Sequence, residues 1–313
     1  MSAPGTADPC RLCRAVTPPT PVLKKPLADG LIAELVRCPK CDLVTLAQTP
    51  DDFQPDLYAY YERRMSWPKE RLYDPITEER YVELLSQLGA ASPNRTALDV
   101  GCGKGHFLSA AQRAGWSVRG IDLAEGAIQL CKKYELPAEC IDFFSQDLDA
   151  ERFGLVTMFE LIEHVPNPIA FLQRAADLLE PGGLIYLTTP NFASLDRRVL
   201  GPAWGPIHLE HVTLFTPQTL NELVRRAGLR TERVESRNVS GQALRKLADP
   251  RRWRAPVAPP STRTAEAQTN AKEKDLRAAI EHRPLLKTAK RAMNRALDAT
   301  RSGSSLIVWL RKD

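Results

Sequence analysis

The chain has 313 residues, 43 Lys and Arg against 38 Asp and Glu, a formal charge of +5, and 43% hydrophobic residues. That balance excludes a disordered tail and a collagen-like repeat, and the length allows one large domain with a small companion. No stretch approaches the ~20 apolar residues of a membrane span, and the opening MSAPGTADPC lacks the basic start and apolar middle of a signal peptide, so a soluble cytoplasmic protein is expected.

Residues 1–50 are rich in proline and poor in helical periodicity, so a core of their own requires a staple. Cysteine supplies one. Cys10-x-x-Cys13 and Cys38-x-x-Cys41 are separated by 24 residues, and the second pair reads Arg37-Cys-Pro-Lys-Cys-Asp-Leu, a tight turn that places two thiols side by side. Four thiolates on two such turns suit a tetrahedral zinc site, a zinc ribbon whose binding energy becomes folding energy. The competing readings are a redox disulfide and two unrelated surface pairs, and the gap exceeds the usual ~15 to 20 residues. Cys102, Cys131 and Cys140 have apolar neighbours in sequence and are expected to be buried small hydrophobes.

Residues 51–92 read as a helical linker, with Tyr58, Tyr60, Tyr61, Trp67 and Tyr73 followed by the amphipathic run Thr77 to Leu88. Such a segment either packs as ordinary helix or covers the mouth of a site as a lid.

From Thr96 strands and helices alternate: Ala97 to Val100, Phe107 to Ala114, Ser117 to Ile121, Ala124 to Lys133, Ala138 to Ile141, Leu155 to Phe159, Ile169 to Leu179 and Leu184 to Thr188. Alternation of this kind predicts an α/β fold, a doubly wound parallel sheet with helices on both faces, occupying residues 93–313. A helix at Pro217 to Ala227 and a strand at Thr231 to Glu235 follow, and Ser305 to Leu310 forms a last strand. Between them, 239–303 reads as a basic helical insertion. From Ala243 onward 17 Lys and Arg face 7 Asp and Glu, which leaves the first 242 residues acidic. A solvated helical face is the plain explanation, and a surface for nucleic acid or membrane is the other.

The densest signal is Leu98-Asp99-Val100-Gly101-Cys102-Gly103-Lys104-Gly105, a strand that runs through a glycine loop into a helix. Glycines here let a ligand approach backbone that a Cβ would keep away. A phosphate-binding P-loop needs a hydroxyl after its Gly-Lys, and Gly103-Lys104 is followed by Gly105. A dinucleotide loop spaces its glycines as G-x-G-x-x-G, whereas this one reads G-x-G-x-G with an acid two residues before the first.

That arrangement resembles the class I S-adenosylmethionine (SAM)-dependent methyltransferases, in which Asp-x-Gly-x-Gly-x-Gly wraps the methionine half of the cofactor. Asp122, in Gly120-Ile121-Asp122-Leu123, stands where the family's ribose-binding acid is expected, and Ile141-Asp142-Phe143 where its adenine contacts are. The stretch Phe153 to Pro168, including Glu160-Leu-Ile-Glu163-His164-Val165-Pro166, is similar to the fourth strand and following loop of ubiquinone-biosynthesis-type O-methyltransferases. Leu179-Glu180-Pro181-Gly182-Gly183 is similar to their turn before the fifth strand.

The resemblance implies a seven-stranded Rossmann-like methyltransferase sheet, with Ser305 to Lys312 as the antiparallel strand inserted between the fifth and sixth. It also implies SAM as cofactor, bound by Asp99, Gly101, Cys102, Gly103, Gly105, Asp122, Leu123, Asp142, Phe143 and Glu160.

A hydroxyl acceptor must lose a proton as it is methylated, and His164 at the end of the fourth strand is the first candidate base, with His208 and His211 next. In the ubiquinone-type enzymes a similar Glu-x-x-Glu-His set is associated with a divalent metal, which gives Glu160, Glu163 and His164 a second reading. The expected function is methyl transfer to a small-molecule acceptor such as a sugar, polyketide or phenolic compound of secondary metabolism, with oxygen favoured. The alternatives are a ribosomal RNA methyltransferase using the basic insertion, a non-catalytic zinc-dependent interaction module, and an oxidoreductase.

Overall fold

The computed structural model describes residues 9–27, 30–47, 75–249 and 283–312. Tyr58, Tyr60, Tyr61, Trp67 and Tyr73 of the linker, and 250–282 of the basic insertion, lie outside the described residues.

The N-terminal segment folds as three short strands, Thr20–Pro26 (β1), Ile32–Arg37 (β2) and Val44–Leu46 (β3). Sequence periodicity did not indicate them, because neither β1 nor β2 strictly alternates apolar with polar residues and β3 has only three residues. Helix Pro75–Ala91 (α1) precedes the main sheet.

Then come Thr96–Val100 (β4), His106–Arg113 (α2), Ser117–Asp122 (β5), Glu125–Lys133 (α3), Ala138–Cys140 (β6), Phe153–Phe159 (β7) and Pro168–Asp177 (α4). Helix α4 starts where its sequence dictates: Asn167 accepts the Ala170 N–H, and Pro168 occupies the first turn, where it sacrifices no hydrogen bond.

Leu179–Pro190 (β8) is longer than expected, since Leu179 pairs with Phe153 and the Pro181-Gly182-Gly183 turn sits inside the strand as a register shift. Next are Leu195–Leu200 (α5), Thr213–Leu214 (β9), Pro217–Arg226 (α6), Leu229–Arg237 (β10), Gly241–Ala248 (α7), Pro284–Ala299 (α8) and Ser305–Lys312 (β11). In α6 the Thr216 and Thr219 side chains cap each other's backbone N–H groups, closing the first turn.

Seven strands form one sheet in the order β10-β11-β8-β7-β4-β5-β6. The β4, β5, β6, β7 and β8 pairings are parallel, whereas β11 runs antiparallel to β8 and β10 on either side. This is the expected insertion of the last strand. Strand order reverses between β4 and β7, so their carboxyl ends open the crevice in which sheets of this class bind ligands.

One face of the sheet buries Leu98, Val156 and Ile185 against α4 and α6; the other buries Ala97, Leu155 and Leu184 against α1, α2 and α3. Alternate residues along each strand thus feed two cores.

The second sheet has the order β1-β2-β3-β9. Its last strand comes from the segment that follows β8, so the cysteine-bearing segment and the larger domain share a sheet. Its inner face packs Leu35, Val44 and Leu46 on Trp204, Ile207 and Val212.

Candidate active site

At the end of β4 the chain turns through Gly101, Gly103 and Gly105, each with positive φ. Gly105 admits no larger residue, since a Cβ there would stand 2.5 Å from Leu136 Cδ1 and 2.9 Å from Cys131 Sγ. The N–H groups of Gly101 and Cys102 donate to the Ile121 carbonyl at 2.8 and 3.0 Å. Asp122 closes the loop from the next strand: its Oδ2 accepts the Gly103 N–H and its Oδ1 the Ala124 N–H, both at 2.8 Å. Each oxygen keeps a further lone pair for a ligand hydroxyl.

Asp99 lies beneath this loop, 2% exposed, and accepts the Thr157 hydroxyl at 2.7 Å. Burial raises its carboxyl to about 7, against the Thr157 hydrogen bond and with some help from the Asp122 charge. Tyr81 of α1 packs edge-on against Phe107 and Phe159, and burial together with the Asp99 charge pushes its phenol up. Neither Thr157 nor Tyr81 was singled out from sequence. The Thr157 contact joins two strands 58 residues apart, which no local pattern reveals.

Beyond β6, Asp142 is exposed and accepts the Phe144 N–H at 2.7 Å. Phe143 is 4% exposed and packs on Phe171 in the core, while Phe144 is 51% exposed, so Phe144 and not Phe143 presents a ring to solvent. Leu123 is also largely exposed. Cys102 and Cys131 are buried as expected, and the Cys131 thiol donates to the Gly103 carbonyl at 3.4 Å. Cys140 corrects the sequence reading: it is exposed, because β6 is the edge strand of the sheet.

The other wall follows β7. Glu160 takes φ +49, a left-handed conformation uncommon for a non-glycine residue, and its N–H is held by the Thr188 carbonyl at 3.0 Å. That turn leaves Glu160 exposed and sends Leu161 against the glycine loop, 3.0 Å from where a Gly101 Cβ would be. Glu163 is fully buried, with Oε2 accepting the Thr189 hydroxyl at 2.9 Å. Burial and the Glu160 charge raise its carboxyl well above the usual range.

His164 Nδ1 lies 2.9 Å from the Glu210 carbonyl, so it carries the proton and donates, leaving Nε2 with its lone pair. Burial lowers this imidazole to about 4, against its backbone hydrogen bonds to Glu210 and Glu160. The His211 ring stands edge-on to His164, centroids 4.6 Å apart, and 3.8 Å from that of His208. His211 Nε2 is 3.9 Å from Glu163 Oε1.

All three histidines therefore meet, although 44 residues separate His164 from His208 in the chain. Glu163, His164 and His211 offer ligand atoms within 4.8 Å of one another. The triad anticipated from sequence is altered: His211 takes the place of Glu160.

The four N-terminal cysteines also converge. Cys10 Sγ lies 3.6 Å from Cys41 Sγ, and Cys13 Sγ 3.7 Å from Cys38 Sγ, each contact crossing from one turn to the other. The two turns repeat one geometry. The residue after each second cysteine, Arg14 or Asp42, has positive φ and donates its N–H to the carbonyl of the first cysteine at 2.9 Å. Four sulfurs bonded at ~2.3 Å around one tetrahedral zinc stand ~3.8 Å apart, so the observed spacing fits a zinc site of four thiolates.

A methyltransferase-domain family model matches residues 73–234. A ubiquinone biosynthesis O-methyltransferase of Xanthomonas campestris pv. campestris (strain B100) is 34% identical over 181 residues, covering 53% of this chain and 71% of the relative. Another enzyme of that name, from Hydrogenovibrio crunogenus, is 32% identical over 165 residues, covering 47% and 67%. Among solved structures, a SAM-dependent methyltransferase from Archaeoglobus fulgidus superposes with a TM-score of 0.50 at 19% identity, over 82% of this chain and all of that one; this likeness speaks for the fold alone.

Proposed function

From membership of the SAM-dependent methyltransferase family, to which this chain belongs, we propose that it methylates a hydroxyl oxygen of a small molecule, such as a sugar, polyketide or phenol, in the cytoplasm. The observation that carries this reading is the gathering of His164, His208 and His211 with buried Glu163 at the turn after β7, whose Leu161 packs against Gly101.

Bound SAM supplies an electrophilic methyl group on a sulfonium that departs as a neutral thioether. The loop from Gly101 to Gly105 and the carboxylate of Asp122 would hold it, and Asp142 and the exposed ring of Phe144 would be available to its adenine. Little proton chemistry is needed beyond the acceptor's own, and alignment accounts for much of the rate. His164 is the base: its Nδ1–H is fixed on the Glu210 carbonyl, which makes Nε2 the nitrogen to receive the acceptor proton.

A second reading gives Glu163, His164 and His211 to a divalent ion that would hold the acceptor oxygen, since two imidazoles and a carboxylate suit such an ion. Zinc at Cys10, Cys13, Cys38 and Cys41 is structural. Residues 51–92 serve as the linker to the methyltransferase domain at 93–313.

The test is methyl transfer from labelled SAM into the low-mass fraction of a host extract. His164→Ala should lower transfer about a hundredfold with affinity for S-adenosylhomocysteine unchanged, since the base acts on the acceptor. The acidic limb of the rate should fall near pH 4, where His164 becomes charged, and not near 6.5. Loss of activity in EDTA, restored by magnesium or zinc, would favour the ion. Full activity in the variant would remove His164 from the mechanism.

A further inference from the structure

The turn that carries Cys38 and Cys41 continues through Asp42 and Leu43 directly into β3, and β3 is not the last strand of its sheet. It pairs with β9, Val44 opposite Leu214 and Thr45 opposite Thr213. Strand β9 begins two residues after His211. The Leu46 N–H donates to the Val212 carbonyl at 3.3 Å, and the Thr213 N–H donates to the Glu163 carbonyl at 3.0 Å. At the other end, the Cys38 N–H donates to the Leu43 carbonyl and the Asp42 N–H to the Cys38 carbonyl, both at 2.9 Å. Backbone hydrogen bonds thus run from the cysteine turn, along β3 and across β9, to the residue that precedes His164.

Packing follows the same route. Leu12 from the first cysteine turn and Leu43 from the second are buried in one cluster with Ile162, Val165 and Phe215. Ile162 and Val165 stand on either side of Glu163 and His164. The cofactor loop is anchored elsewhere, through Gly101 and Cys102 to Ile121 and through Gly103 to Asp122.

We propose that the four-cysteine cluster is a positioning device for the acceptor side of the active site: an ion held by Cys10, Cys13, Cys38 and Cys41 fixes β3, and β3 fixes β9 and with it Glu163, His164 and His211. Strands of three to seven residues with two cysteine turns hold little structure unaided, so the free energy of ion binding is what keeps β3 in register. The proposal rests on the zinc reading of the four thiols, and it makes the ribbon part of the acceptor site's architecture while leaving the cofactor half independent.

The experiment is amide hydrogen exchange on the full chain, comparing zinc-loaded wild type with Cys38→Ser. The variant is used in place of a chelator, which would also strip any ion from Glu163, His164 and His211. Metal analysis should show the zinc lost. Exchange at Leu46 and Thr213 should quicken at least tenfold, while Gly101 and Cys102 stay protected and calorimetric affinity for S-adenosylhomocysteine stays within twofold.

Leu43→Ala, which keeps all four thiols, should retain the zinc and still quicken exchange at Thr213. Unchanged protection of Leu46 and Thr213 in zinc-free Cys38→Ser would overturn the proposal alone. So would equal loss of protection in the glycine loop, which would make the cluster a general staple. Wild-type protein that takes up no zinc would overturn the proposal and the zinc reading together.

Discussion

Asp122 holds two backbone N–H groups as well as standing where a ribose is expected, so its removal should disturb both the loop and the ligand. Asp122→Ala is expected to weaken SAM binding at least tenfold, about 1.4 kcal/mol, by calorimetry; unchanged affinity would remove Asp122 from the cofactor site. Asp99 yields a pH test. Its folded value of about 7 lies above the ordinary 3.8, so its contribution to stability is fully present below about 4 and is lost as pH rises to about 7. Asp99→Asn keeps an acceptor for Thr157, and its stability relative to wild type should therefore climb between pH 4 and 7 and then level off, by no more than about 4 kcal/mol. Urea titrations across that range check this, and a difference that does not vary with pH would contradict it. Asp99 and Asp122 were legible in the sequence because a short motif fixes them. The partnership of Glu163 with His211 was not, since the two are 48 residues apart and meet only when β9 leaves its loop.

Elements whose residues alternate or repeat were read nearly to their ends: β4, β5, β7, α3 and β11 fall within two residues of expectation. The failures share a cause. Strands β1, β2 and β3 take their partners from one another and from β9, a strand of two residues whose identity exists only in the pairing. Helix α2 offers a test of how the glycine loop is built. Its N-terminal flank Gly105 has φ +73 and no room for a methyl group. Gly105→Ala combines a left-handed alanine, costing roughly 1–2 kcal/mol, with overpacking against Leu136 and Cys131, and is expected to destabilise the fold by about 2 to 4 kcal/mol in urea. A loss below about 0.5 kcal/mol would mean that the loop relaxes freely and is no rigid cradle.

Across the molecule, a mostly parallel sheet carries the glycine loop, the segment that follows β8 lends β9 to the small cysteine-bearing sheet, and His211 precedes that strand by two residues. The ribbon is expected to bind about one zinc per chain, with Cys38→Ser releasing it and exposing residues 1–50 to protease while SAM binding survives; a metal-free wild type with a protease-resistant N-terminus would contradict this. No helix among the described residues is long and apolar enough to cross a membrane. The basic charge from Ala243 onward is the feature an RNA-directed enzyme would use, and a neutral, half-buried His164 beside buried Glu163 is the feature a hydroxyl methyltransferase would use. Labelled SAM decides between them. Incubated with wild-type protein and a host extract, the methyl label should appear in a small molecule as an ether stable to base and nuclease, and should fall with Asp122→Ala. Label that instead precipitates with RNA and is released by nuclease would contradict the assignment of a small-molecule hydroxyl acceptor.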